Sequence, residues 1–390
     1  MDDPFLYFDQ DRRDQLLLKK EHQDFARDFA TKTTVLLKNE NKLLPLNEND
    51  YQKIAVIGPL SNSRKYRDYQ GNWNAAGQAE DVVTLYQALQ QRFGNEKQIL
   101  QHDGCEAFGK CPPAMIKDAV NTAKQADIII CAVGENGYQT GEGASRADIS
   151  LPGNQEELLQ ALHATGKPVV MAMFNGRPLI INWAAEHIPA ILEVWQPGIM
   201  GGPAIADLLF GDANPSGKLP VSFPRSVGQI PVYYAHLNTG RPKLGPEDDR
   251  WGVSKYSDVP NEPLFPFGFG LTYTTFNYSN LTLDKKEISF QDTLQVSVTV
   301  TNTGKRAGEE VVQLYIRDLV AQVSRTVKQL KRFKKINLEP GESKNIAFQL
   351  TVEDLKYWNG NIEYVADRGE FKVFVGPNSA DVEELNFKLK

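Results

Sequence analysis

The sequence has little cysteine, no long apolar run and no excess of positive charge. Its three cysteines, Cys105, Cys111 and Cys131, are too few for a disulfide scaffold and lack the spacing of a metal site. No apolar stretch approaches the roughly 18 residues of a membrane span, and Met1-Asp2-Asp3-Pro4 carries no basic and apolar export signal. With 43 basic against 49 acidic side chains the formal net charge is −6, which argues against a nucleic-acid footprint. No G-x-x-x-x-G-K-[ST] occurs, so a P-loop is excluded. The five histidines (His22, His102, His163, His187 and His236) are scattered, and none stands in a nucleophile motif.

At about 150 residues per domain the chain is long enough for two or three. A hydrophobic share of 41% with 10% aromatics is enough for proper cores and excludes a disordered or fibrous chain. Over residues 53–223, apolar runs at 54–57, 128–133, 169–174 and 191–194 do not alternate, as in parallel strands buried on both faces. Helical patterns separate them. One begins at Pro112-Pro113 and carries Ile116, Ala119, Val120 and Ala123 at helical spacing. A second begins at Asn154, with Glu157 spaced as in a capping box. A third runs from Gly201-Gly202 to Gly211. Strand alternating with helix predicts an α/β domain with a mainly parallel sheet flanked by helices.

Residues 226–270 are rich in Pro, Gly, Tyr and Asn without clear period, and read as an ordered connection. The apolar stretch 265–273 is expected to pack on a domain surface. Beyond about Phe276 the period becomes two: Leu294, Val296, Val298 and Val300 alternate with polar residues. Further strand-like runs at 311–316, 344–350 and 370–375 predict an all-β sandwich. The first 33 residues look helical and charged, with no core of their own. Cys131 lies in an apolar run and reads as a buried, inert thiol. Cys105 and Cys111 flank a short loop, and whether they are bridged depends on the compartment.

Ligands of open α/β sheets bind at the carboxyl ends of the strands. The loop leaving Val133 is long and glycine-rich, and carries Glu135, Glu142 and Arg146. Its glycines do not fall at G-x-G-x-x-G and no helix follows directly, so a dinucleotide site is disfavoured. A glutamate on a mobile loop suits general-acid chemistry, because loop closure desolvates a carboxyl and raises its pKa. An ordinary solvated loop has the same composition.

The run from Gly198 through Gly201-Gly202-Pro203 and Gly211-Asp212-Ala213-Asn214-Pro215-Ser216-Gly217 to Pro224 resembles the signature of glycoside hydrolase family 3. So do Thr34-Val35-Leu36-Leu37-Lys38-Asn39-Glu40, Phe174-Asn175-Gly176-Arg177-Pro178-Leu179 and Phe265-Pro266-Phe267-Gly268-Phe269-Gly270. The tail resembles that family's fibronectin type III-like domain. The resemblance implies four segments: a helical post-barrel piece (1–33), an α/β-sandwich domain (34–225), an ordered connection (226–275) and a fibronectin type III-like domain (276–390).

It also implies a retaining β-glycosidase, β-glucosidase-like, acting on oligosaccharides or β-glucosides without metal or other cofactor. The chain is then the C-terminal part, alone inactive. Its nucleophile lies in an N-terminal (β/α)8 barrel, and its location is periplasmic or secreted. Glu142-Gly143-Ala144-Ser145-Arg146 fits the family's acid/base pattern and points to Glu142 as the acid/base, with Ser145 and Arg146 on the same loop, and Trp73, as candidate substrate-binding residues. Glu135 reads as an anchor at the strand end. Arg146 is expected to pair with a carboxylate and fix the loop. Trp73 is open between a sugar-stacking platform and a buried core side chain. Partners are saccharide and barrel, with no nucleic acid or membrane; an apolar face left by an undocked barrel makes a homodimer an open expectation. The rival from another class is a non-catalytic carbohydrate-binding or scaffolding module.

Overall fold

The computed structural model describes residues 9–74, 77–243, 248 and 250–390. The reading of residues 1–4, and Ala75 and Ala76 next to Trp73, lie outside the described residues. Two helices come first, α1 (Gln10–Leu16) and α2 (Lys20–Thr33). Only Ala30 and Thr31 of α2 are buried, whereas Phe25 and Phe29 stand exposed. Arg27 ties α2 to the body through an ion pair with Asp207.

The first domain is built on strands β1 (Val35–Asn39), β2 (Lys53–Ile57), β3 (Gln98–His102), β4 (Ile128–Gly134), β5 (Val169–Phe174) and β6 (Ala190–Trp195). They form one sheet in the order β1-β6-β5-β4-β2-β3. All neighbours run parallel except β1, which pairs antiparallel with β6. Helices α3 (Leu85–Phe93), α4 (Pro113–Ala123), α5 (Gln155–His163), α6 (Asn182–His187) and α7 (Gly201–Phe210) complete it.

The continuous apolar runs have a simple cause. Ile129, Cys131, Val133 and Met171 pack on one face with Ala119 and Leu158, while Ile128, Ile130, Ala132 and Val170 pack on the other with Leu89 and Leu208. Side chains alternate across a strand, so a strand covered on both faces must be apolar at every position. Gly211, at φ 79°, ends α7 in the left-handed conformation that glycine adopts without steric cost.

Three details differ from the sequence reading or complete it. Asn154 and Glu157 form no capping box. Asn154 Oδ1 instead accepts from the Cys111 N–H (2.7 Å), and its Nδ2 donates to Glu157 (2.9 Å), so α5 is tied to the 105–111 loop. A capping box does form at Thr84 and Gln87, opening α3, which the periodicity did not reveal. Cys105 and Cys111 are joined in a disulfide, while Cys131 is a buried free thiol.

The second domain comprises β7 (Phe276–Leu283), β8 (Glu287–Ile288), β9 (Leu294–Asn302), β10 (Gly308–Asp318), β11 (Gln329–Leu338), β12 (Ser343–Leu350), the one-turn α8 (Val352–Leu355), the small ribbon β13 (Tyr357–Trp358) and β14 (Tyr364–Val365), then β15 (Gly369–Gly376) and β16 (Glu383–Leu389). A five-stranded sheet, β11-β10-β15-β16-β8, faces the three-stranded β12-β9-β7. The alternating residues Leu294, Val296, Val298 and Val300 share a core with Val373, Val375 and Phe387.

The 265–273 stretch joins the two domains. Phe265 pairs with Phe223 and Leu271 with Leu36, and Gln313 Nε2 donates to the Gly268 carbonyl (3.1 Å). Across the same joint Lys218 pairs with the buried Glu310 (3.2 Å) and Ser216 donates to Glu309 (2.9 Å).

Candidate active site

Strands β4, β5 and β6 deliver their carboxyl ends to one edge of the first domain, and the glycine-rich loop leaves β4 there. Its stem is an ionic knot. The Glu135 side chain has no exposed surface; its carboxylate meets Arg146 Nη1 at 2.9 Å and Arg177 Nε at 3.0 Å. The Glu135 N–H donates to the Phe174 carbonyl (2.8 Å). Buried carboxylates are tolerated when paired and hydrogen-bonded, and two guanidiniums give this one both.

Each arginine also holds backbone. Arg146 Nη2 donates to the Ser150 carbonyl (2.9 Å). Arg177 Nη2 donates to the carbonyls of Gln139 and Ala144, both at 2.7 Å, clasping the loop on either side of its tip. Gln196 Nε2 adds a bond to Thr140 Oγ1 (2.5 Å).

The tip is built differently. Glu142 is exposed and sits between Gly141 (φ 100°) and Gly143 (φ 72°), two backbone conformations that L side chains rarely adopt. A Cβ at Gly141 would lie 3.3 Å from Trp73 Cδ1 and 3.0 Å from Asn72 Cβ. The structure thus brings Trp73 against the tip, 74% exposed rather than in the core. Ser145 is exposed on the loop beside them. Arg146 is turned inward to Glu135 rather than out toward the tip.

A second buried carboxyl lies behind the knot. Glu193 on β6 accepts from Asn175 Nδ2 (2.9 Å) and the Trp195 N–H (3.0 Å). Burial pushes its carboxyl well above the usual range; these two bonds oppose the shift and the nearby Glu135 charge adds to it.

Arg177 and Glu193, which both lie near Glu135 at the stem of this loop, were not singled out as site residues from sequence. Arg177 comes from the loop after β5, and its place just beyond a strand's carboxyl end is the signal that could have found it. The arrangement presents a solvent-accessible carboxyl at the tip of a clasped loop, beside an exposed indole. That is suited to proton transfer at a ligand lying on the indole face.

The model for the glycosyl hydrolase family 3 C-terminal domain matches residues 34–273, and that for a fibronectin type III-like domain matches residues 310–379. A periplasmic beta-glucosidase of Salmonella typhimurium is 46% identical, over 94% of this chain and 50% of its own length. A beta-xylosidase of Formosa agariphila is 42% identical, over 95% of this chain and 50% of its own. The crystal structure of a beta-glucosidase from Listeria innocua in complex with isofagomine superposes with a TM-score of 0.91 at 38% identity, covering all of this chain and 53% of that one. The chain spans about half the length of these relatives.

Proposed function

The chain belongs to glycosyl hydrolase family 3, and from that premise we propose that it is the acid/base-bearing part of a retaining β-glycosidase acting on β-glucosides. The observation that carries this reading is the loop itself: an exposed Glu142 between two glycines, on a stem clasped by Arg146 and Arg177. In a retaining mechanism two carboxyl groups stand about 5–5.5 Å apart across the glycosidic bond. The nucleophile, which the family resemblance assigns to the barrel, attacks the anomeric carbon while Glu142 gives its proton to the departing oxygen. Glu142 then takes a proton from water, whose oxygen attacks the same carbon and releases the sugar from the covalent intermediate.

Trp73 would carry the leaving-group side of the substrate on its exposed face. Arg146 and Arg177 act through the loop by fixing where Glu142 stands, and proximity of this kind is a large part of a catalytic barrier. The Cys105–Cys111 disulfide and the name of the Salmonella relative both favour an extracytoplasmic compartment.

The test is leaving-group dependence. In the enzyme assembled with its barrel, Glu142→Ala should lower kcat/KM about 10²–10⁴-fold on glycosides with poor leaving groups, yet far less on activated aryl glycosides, which depart without a proton. Equal losses on both would sink the assignment. The 390-residue chain alone, offering an acid without a nucleophile, should turn over neither class.

A further inference from the structure

The sheet changes winding direction between β2 and β4: β3 lies to one side of β2, and β4, β5 and β6 follow on the other. Open α/β sheets bind ligands in the crevice at such a switch point. Here the crevice is a cavity of about 510 Å³, lined by the loops that follow β2, β3 and β4, within the size range of small-molecule sites. It shares Asn136 and Gln139 with the loop that carries Glu142, but neither Glu142 nor Trp73 lines it.

Two polar side chains in its wall are buried and incompletely bonded. Asp68, 3% exposed, accepts from Ser63 and the Gly137 N–H, yet its Oδ1 has no partner among the described residues. Asn136, 5% exposed, uses its Oδ1 for the N–H groups of Tyr138 (3.0 Å) and Gln139 (3.2 Å). Those two donors fix the amide orientation and leave Nδ2 as the unpartnered donor. Native proteins rarely bury such atoms unmatched. Burial pushes the Asp68 carboxyl up to about 6, so this carboxylate is held there at a cost, a pattern that clusters at functional sites.

The rim supplies a third feature. Phe108 is 47% exposed and held at φ 66°, a conformation that is uncommon for a bulky residue and points to function when it occurs. The surrounding loop is closed by the disulfide and by a bond from the Glu106 N–H to the Lys110 carbonyl (2.7 Å).

We propose that this crevice binds one unit of a neutral saccharide, whose hydroxyls pair with Asp68 and Asn136 and whose ring lies on Phe108. A hydroxyl both donates and accepts, so neighbouring hydroxyls satisfy an orphan acceptor and an orphan donor together. An anion fits worse, because Asp68, Asp103 and Glu106 outnumber Arg64 and Lys65 in the lining. The inference does not depend on a catalytic role for Glu142.

The test titrates the 390-residue chain at pH 7.5 with glucose and with cellobiose, following backbone amide shifts. Saturable binding in the millimolar range is expected, with shifts over residues 60–68 and 103–109. Asp68→Asn and Phe108→Ala should each weaken it about tenfold or more, a 1.4 kcal/mol change, and Trp73→Ala should leave it unchanged. Phe108 is exposed, so its variant reports on the site without changing a buried side chain. The proposal is overturned if no saccharide binds, if inorganic phosphate binds there instead, or if binding disappears with Trp73→Ala but survives Asp68→Asn and Phe108→Ala. That last pattern would place the saccharide in the catalytic cleft and leave the reading of Glu142 intact.

Discussion

Glu135 and Glu142 lie seven positions apart on one loop and are opposites. The stem carboxylate is wholly buried between two guanidiniums; the tip carboxylate stands in solvent between two glycines. The stem trades mobility for position, and the tip keeps its access to solvent and its freedom to meet a substrate. A proton donor needs both parts, because a carboxyl on an unclasped loop would rarely be where the glycosidic oxygen is.

Stability measurements should separate the two carboxylates most sharply. Removing one member of a buried, hydrogen-bonded ion cluster leaves uncompensated charge and costs about 3–5 kcal/mol. Glu135→Gln is therefore expected to lower the unfolding free energy of the first domain by that order in urea titrations. Glu142→Gln, changing an exposed side chain, should stay within about 0.5 kcal/mol. Similar losses from both substitutions would mean that the stem is not the clasp described.

A smaller effect is expected at Asp68, a carboxyl that is buried like Glu135 but pairs with no guanidinium among the described residues. Its folded-state pKa is raised from 3.8 to about 6, so the folded chain holds this proton more tightly than the unfolded one. Stability then falls as pH rises from about 4 through about 6, and the penalty is complete above that. The shift is worth about 3 kcal/mol at 1.36 kcal/mol per unit. Asp68→Asn, neutral at every pH, should be about 1–3 kcal/mol more stable than the parent at pH 7.5 and no more stable at pH 4. An advantage that did not change with pH would refute this account of Asp68. A variant that gains stability while losing saccharide is the trade expected of a binding residue.

Much of the fold was legible because the physics is local. β4 and β5 are apolar at every position since both faces are covered, and β9 alternates because one face is. β3 escaped notice as an edge strand, Gln98–His102, whose residues are mostly half-buried and carry no clean period. The antiparallel pairing of β1 with β6 is set by packing, not by the pattern of β1 itself.

The site divides the same way. Glu142 is a candidate from sequence through its glycines and its family motif, and Arg146 through its place on the same loop. Arg177 reaches that loop from beyond β5, and Asp68 meets Gly137 from the loop after β2. Their roles exist only once distant segments are brought together.

The central claim is that Glu142 gives and takes the proton in a retaining reaction. The most direct measurement is the product formed when the barrel-assembled Glu142→Ala enzyme cleaves an activated aryl β-glucoside in azide. With the carboxylate gone, azide can enter the space beside the covalent intermediate and attack the anomeric carbon without deprotonation. The account predicts faster turnover with azide and a glucosyl azide of β configuration by proton NMR. An α-configured azide, or a rate and product unchanged by azide, would contradict it.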